Sequence, residues 1–211
     1  MSDSKVPKLL QSSLMALMLL LGAGGAYLGN EAAIREANSN EYVQAVAADE
    51  TTSMAVKIAM VMGNYYESSN RHIGRPYVDR AGRGEPLTVC NGVTGAGVVP
   101  GKYYSPQDCY QLERARYLMT EDALAPLLRY WASYDPFVQA TFIDFGWNKP
   151  ISSFRTSTMR AKANAGDLQG ACAENPRWNK GTVKGVLTVL PGLQTRGDSN
   201  AELCAVWRVP S

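Results

Sequence analysis

Histidine is almost absent: His72 is the only one in 211 residues. A catalytic triad built on imidazole, or a metal centre with several imidazole ligands, would have nothing else to draw on. An excess of one charge is also missing. Lys+Arg number 21 against Asp+Glu 19, a net of +2, which excludes the basic footprint of a nucleic-acid binder. Cysteine is sparse, at positions 90, 109, 172 and 204, with 18, 62 and 31 residues between them. No C-x-x-C occurs, so the zinc and thioredoxin-like readings lack their spacing. A disordered chain is excluded by 45% hydrophobic residues and balanced charge. A chain this long hides roughly 70% of its surface in a single core and does not depend on cross-links to fold.

What is present begins with Leu9 to Leu28, 20 residues without a charge. As a helix they would span about 30 Å, the thickness of a bilayer's hydrocarbon core. Lys5 and Lys8 precede the segment and Glu31, Arg35 and Glu36 follow it. This bias puts the N-terminus in the cytoplasm and the body of the chain outside. Three readings export the body: a cleaved signal peptide, with Gly24-Gly25-Ala26 as the small-residue region; a permanent anchor; and a weak anchor able to leave the bilayer. Gln11, Ser12, Ser13, Gly22, Gly24 and Gly25 weaken the segment as an anchor. A buried core helix is the remaining reading, and the flanking lysines and the length oppose it.

An even number of cysteines in an exported chain suggests two disulfides. Three pairings exist, besides four free buried thiols. The local one, Cys90–Cys109 with Cys172–Cys204, closes the shortest loops and is favoured.

Residues 30–52 are polar and read as a linker or a solvated helix. Met54, Ile58, Met62 and Tyr65 recur at three- and four-residue spacing, predicting an amphipathic helix over 53–66. Glycine and proline are then dense from Ser68 to Gly101, with short β-prone runs at 76–78 and 87–90, a small meander of strands and turns. Ser105, Pro106 and Asp108 have the residue types of a helix start. Helices are expected to about residue 133 and over 136–148, 157–165, 167–175 and 192–205. The expected class is α+β: an N-terminal hydrophobic helix, a small antiparallel meander, then a mainly helical lobe.

Within the meander region Glu67 ends an apolar helix, Asp79 lies on the next strand and Thr88 on the strand after. Convergence of the three would set a carboxylic acid opposite a carboxylate–hydroxyl pair, which is what an inverting glycosidase needs. One carboxyl protonates the leaving oxygen; the other, with the hydroxyl, orients a water on the opposite face. Glu, Asp and Thr are equally common as solvated turn residues, so spacing alone leaves the matter open.

Tyr77-x-Asp79-x-x-Gly82 followed by Thr88-Val-Cys90-x-Gly92-x-Thr94-Gly95 resembles the glycoside hydrolase family 24 lysozymes, the phage endolysins of T-even and lambdoid type. The likeness continues through Tyr104-Ser105-x-x-Asp108-Cys109, Phe142-x-x-x-Gly146-Trp147-Asn148, Phe154-Arg155-Thr156-Ser157-Thr158-Met159-Arg160, Asn164-Ala165-Gly166-Asp167, Gly170-Ala171-Cys172, Arg177-Trp178, Gly192-Leu193-x-x-Arg196 and Glu202-x-x-Cys204. These matches are collinear over roughly residues 55–205.

The resemblance implies a lysozyme-like fold over residues 53–211, with Glu67 as general acid, Asp79 as the carboxylate handling the water and Thr88 as its hydroxyl partner. It implies hydrolysis of the β-1,4 bond between N-acetylmuramic acid and N-acetylglucosamine in peptidoglycan glycan strands, leading to host lysis, with no metal or organic cofactor. It implies a monomer, with no nucleic-acid partner. It also implies that residues 1–29 are a signal-arrest-release segment: exported uncleaved to the periplasm, holding the enzyme at the inner membrane through residues 9–28, then escaping. In relatives activation follows from thiol exchange with a cysteine of the segment or from refolding of the released segment. This segment has no cysteine, which leaves the second route. One departure stands out. Eleven residues separate Glu67 from Asp79 and eight separate Asp79 from Thr88, about three more in each turn than the family spacing. Ser68 stands where glycine usually follows the family glutamate. His72 and Arg75 lie on the first enlarged turn, as substrate contacts or surface decoration; Glu85 lies on the second, a rival acid. Two other functions compete: a lytic transglycosylase on a similar fold, which needs the acid but no activated water, and a non-catalytic, membrane-tethered wall-binding protein.

Overall fold

A computed structural model describes residues 4–23, 25–80, 84–183 and 185–210. Four helices open the chain: α1 (Lys8–Leu20), α2 (Glu31–Ser39), α3 (Glu41–Ala48) and α4 (Met54–Ser68). A three-stranded antiparallel meander follows, β1 (Tyr77–Val78), β2 (Leu87–Val89) and β3 (Val93–Thr94). The second lobe holds α5 (Pro106–Leu124), α6 (Pro136–Asn148), α7 (Ile151–Arg155), α8 (Thr158–Asn164), α9 (Leu168–Cys172), a hairpin of β4 (Lys180–Val183) and β5 (Val186–Val189), and α10 (Pro191–Val206).

The α4 helix forms because Ser53 caps it, accepting from Val56 N at 3.2 Å, and because its sequence is apolar nearly all round. Val56, Ile58, Ala59, Met60, Val61 and Met62 are fully buried, as expected of a helix enclosed on every side. Packing against α5 is close at Gly63. A Cβ there would lie 1.9 Å from the Tyr117 hydroxyl, so only glycine fits. The start of α5 has a capping box: Ser105 Oγ accepts from Asp108 N at 3.1 Å, and Asp108 Oδ2 accepts from Ser105 N at 2.9 Å.

The N-terminal segment differs from its simplest reading. Its helix stops at Leu20, and Gly22 turns the chain with φ +73°. Among the described residues no helix is long and apolar enough to cross a membrane. Instead Leu10, Leu14, Ala16, Leu17 and Met18 are buried in the same core as α4; the larger ones each contribute roughly 1.5–3 kcal/mol of apolar burial. Residues 30–52 are not a bare linker. They fold as α2 and α3, capped at both starts by Asn30 and Asn40, and Tyr42, Val43 and Val46 join the core. A second core gathers Leu124, Phe142, Phe145, Phe154 and Met159 around Cys172 and Cys204. Both local disulfides form, Cys90–Cys109 and Cys172–Cys204, with Cα atoms 5.4 and 5.5 Å apart.

Candidate active site

Glu67 occupies the last turn of α4. The helix ends there because Ser69 and Asn70 take the left-handed conformation, φ +54° and +61°. For non-glycine residues this costs roughly 1–2 kcal/mol each, least for asparagine. Polar contacts hold the turn. Ser69 N donates to Tyr65 O at 2.7 Å, and Ser68 Oγ donates to Asn64 O at 2.7 Å. Asn70 Nδ2 donates to Ser13 Oγ at 2.7 Å and to Glu36 Oε1 at 3.0 Å. The turn after Glu67 is thereby fixed by α1 and α2.

The meander positions the other two residues. Tyr77 lies opposite Thr88 in the β1–β2 register. The pairing runs on one residue further, Asp79 N donating to Pro86 O at 3.0 Å. Successive side chains alternate faces, so Tyr77, Asp79 and Thr88 share one face of the meander. Thr88 is buried, its hydroxyl donating to Pro86 O at 3.1 Å. The Tyr77 phenol is held above its usual pKa by partial burial first, then by the charges of Asp79 and Glu67. One ring therefore feels both carboxylates. Gly82, part of the quoted motif, lies outside the described residues.

Arg196, near the start of α10, meets Glu67 from the second lobe. Its Nη1 donates to Glu67 Oε1 at 2.8 Å. Its other nitrogens grip Asp144 of α6: Nε to Oδ2 at 2.9 Å and Nη2 to Oδ1 at 2.7 Å. Asn200 adds a 2.6 Å bond to the same carboxylate and accepts from the Tyr66 hydroxyl at 2.9 Å. Burial opposes the charge of Arg196, but Asp144 and then Glu67 overcome it and hold the guanidinium proton more firmly than usual. Burial and then Asp144 push the Tyr66 phenol well up. Asp144 is fully buried, whereas the Glu67 side chain is about one-third exposed. A fixed cation thus sits on one oxygen of the accessible carboxylate.

A second buried carboxylate lies behind this turn. Glu113 of α5 accepts from Asn91 N at 3.0 Å, from Asn91 Nδ2 at 3.1 Å and from the Tyr42 hydroxyl. Burial, partly offset by these bonds, pushes it up to about 7. Asn91 Nδ2 also reaches Asn64 Oδ1 at 3.1 Å, linking the group to α4.

Motif reasoning assigned no role to Arg196, Asp144 or Glu113. The available signal was a charge inside an apolar run, as in Phe142-Ile-Asp144-Phe. His72 turns toward Tyr104 O, 2.8 Å away, and its ring meets Tyr103 edge-on. With Glu36, Tyr42 and Asn91 it lines a pocket of about 420 Å³ behind the turn, which Glu67, Asp79 and Thr88 do not line. Glu85 adopts φ +48° on the second enlarged turn.

Comparison with known proteins gives the family and the fold. The phage lysozyme family model matches residues 71–200, spanning Asp79, Thr88 and Arg196 and beginning just after Glu67. The SAR-endolysin of bacteriophage PS119 is 31% identical over 133 residues, which are 63% of this chain and 74% of that protein. Two solved structures share the fold. An endolysin from the Escherichia coli O157:H7 phage FAHEc1 has a TM-score of 0.63 at 19% identity, covering 78% of this chain and 98% of that one. The active form of the P1 phage endolysin Lyz has a TM-score of 0.62 at 20% identity, covering 78% and 91%. This chain belongs to the phage lysozyme family, as a peptidoglycan-hydrolysing endolysin with a lysozyme-type fold.

Proposed function

We propose that the chain is an N-acetylmuramidase that cleaves the β-1,4 bond between N-acetylmuramic acid and N-acetylglucosamine by inversion. The observation that carries this reading is geometric: Asp79 and Thr88 share one face of the meander that follows α4, and Arg196 of the second lobe holds the Glu67 carboxyl at the end of α4 at 2.8 Å. Glu67 protonates the departing glycosidic oxygen. Asp79, with the Thr88 hydroxyl on the same strand face, orients and deprotonates the attacking water from the opposite side of the sugar. Arg196 fixes the direction of the Glu67 carboxyl through Oε1 and leaves Oε2 toward the leaving group. The test is mass spectrometry of muropeptides released from purified peptidoglycan by the full chain and by Glu67→Gln. Reducing ends, reduced about 10²- to 10⁴-fold in the variant, are expected for loss of a general acid. Anhydro ends would reassign the reaction to a lytic transglycosylase; release undiminished in Glu67→Gln would remove Glu67 from its role.

We also infer that residues 1–29 tether the exported enzyme to the inner membrane before release, and that the form with α1 packed on α4 is the released one. The 13 residues of α1 span about 20 Å as a helix, short of a hydrocarbon core of about 30 Å. The tethered state would extend the helix through the glycines that end it here. The same apolar residues then have two alternative environments, lipid or core, and a small free-energy gap decides between them. Membrane flotation of the full chain before and after collapse of the membrane potential tests this; protein that stays in the soluble fraction throughout would overturn the tether.

A further inference from the structure

The β4–β5 hairpin is not used by the chemistry above. Its register pairs Lys180 with Val189, Gly181 with Thr188, Thr182 with Leu187 and Val183 with Val186. Facing residues of an antiparallel pair project to the same side. Val183 and Val186 therefore lie on one face, Leu187 and Val189 on the other. All four are exposed, by 44, 64, 66 and 47% respectively. Every residue of β5 is exposed, and in β4 only Gly181 is partly covered, by Leu190. An isolated two-stranded hairpin is marginally stable in water, and this one keeps aliphatic side chains wet on both faces.

Charge on this stretch has one sign. Residues 175–197 contain Arg177, Lys180, Lys184 and Arg196 and no Asp or Glu. Arg177 pairs with Glu174 and Arg196 with Asp144 and Glu67. Lys180 and Lys184 lie on the hairpin stretch of the sequence, and Lys180 is not among these pairs between described residues. A saccharide partner would call for aromatic platforms and hydrogen-bonding side chains; residues 180–189 carry valine, leucine and threonine and no aromatic. A protein groove would cover one face and leave the other wet. A fluid apolar medium with an anionic boundary covers both at once. Unpaired strand edges keep such an insertion shallow, at the level of the headgroups.

We propose that the β4–β5 hairpin is a membrane-contact blade that seats the folded enzyme on an anionic phospholipid surface. Val183, Val186, Leu187 and Val189 enter the interface, and Lys180 and Lys184 meet lipid phosphates. This contact belongs to the folded body and is separate from the N-terminal segment.

The experiment is flotation of the full chain with vesicles containing phosphatidylglycerol and with phosphatidylcholine vesicles, beside V186S/L187S and K180E/K184E. All forms carry the same N-terminal segment, so differences among them report the hairpin. Binding to anionic vesicles is expected to weaken about tenfold in each variant, with hydrolysis of lipid-free peptidoglycan unchanged. A polarity-sensitive dye at Thr188→Cys, attached with both native disulfides oxidised, is expected to shift blue on anionic vesicles. Equal vesicle binding by all forms, or an unshifted dye, would overturn the proposal. So would self-association in sedimentation that V186S/L187S abolishes, which would make the occupant a second copy. Loss of lipid-free peptidoglycan hydrolysis in V186S/L187S with vesicle binding intact would give the blade to the wall instead.

Discussion

Arg196 holds Glu67 through a single 2.8 Å bond while gripping Asp144 through two. The partly exposed Glu67 side chain is therefore oriented by a pair anchored in the second lobe. Arg196→Met leaves Asp144 buried without its cation, a change that costs about 3–5 kcal/mol. For a chain of this size the expected fall in Tm is about 10 °C. Arg196→Met combined with Asp144→Leu removes both charges and is expected to restore most of that Tm without restoring turnover. Recovery of both would mean that Arg196 serves stability alone.

Glu113 predicts a pH dependence of stability. Its carboxyl is pushed up to about 7 in the folded chain, against an ordinary value of 4.5. The folded state then holds a proton that the unfolded state has released, and stability falls as pH rises from 4.5 to about 7. Below this window both states are protonated and the term vanishes; above it the term is constant, on the order of a few kcal/mol. Glu113→Gln keeps the shape and, through its amide oxygen, the bond from Asn91 N; the Tyr42 hydroxyl can turn to accept from the new amide nitrogen, and the bond from Asn91 Nδ2 is given up. The variant is expected to flatten the decline between pH 4.5 and 7 and to raise Tm at pH 8. Parallel Tm–pH curves for the two proteins would count against this reading.

The disulfides offer a calibrated comparison. Cys90–Cys109 and Cys172–Cys204 are 19 and 32 residues apart in sequence. Chain-entropy arguments give about 3 to 4 kcal/mol for loops of this size, slightly more for the longer. C172A/C204A is expected to lower Tm at least as much as C90A/C109A, although it lies in the smaller core. Denaturant melts of both variants under oxidising conditions measure the difference.

Local rules made much of this structure legible. Period-3.6 spacing located α4, residue types located the cap of α5, and glycine density located the meander. Loop length favoured both disulfide pairings. Glu67, Asp79 and Thr88 could be named because their motif is collinear with a family pattern, although nothing in their spacing gives a distance. The rest depended on contacts far apart in the chain. Arg196 meets Glu67 across 129 positions, and no periodicity encodes that. The β4–β5 hairpin escaped because its strands are exposed on both faces, so the usual alternation of apolar and polar residues is missing. In the folded chain the helix of the N-terminal segment is shorter than the charge-free run for a related reason. Absence of charge from Leu9 to Leu28 does not register that Gly22 turns the chain at φ +73°.

Ser13 illustrates how one residue serves two environments. Within an apolar segment its hydroxyl lowers affinity for lipid. In the packed form that hydroxyl is fully buried, 2.8 Å from Glu36 Oε1, and accepts from Asn70 Nδ2 at 2.7 Å, three residues beyond Glu67. Among the described residues the hydroxyl of Ser12, its neighbour, bonds to Lys8 O in its own helix, at 3.0 Å. Ser12→Val and Ser13→Val add the same apolar surface, so both are expected to raise the membrane-bound fraction alike. Only Ser13→Val also removes a partner from half-buried Glu36 and Asn70, at about 0.5–1.5 kcal/mol, and loosens the turn that ends α4. Turnover of the soluble form is therefore expected to fall in Ser13→Val and to hold in Ser12→Val. Substrate affinity is expected to stay the same in both, because neither residue lies on the meander face that carries Asp79 and Thr88. Equal turnover in the two soluble variants would uncouple α1 from Glu67 and leave Ser13 with its membrane role only.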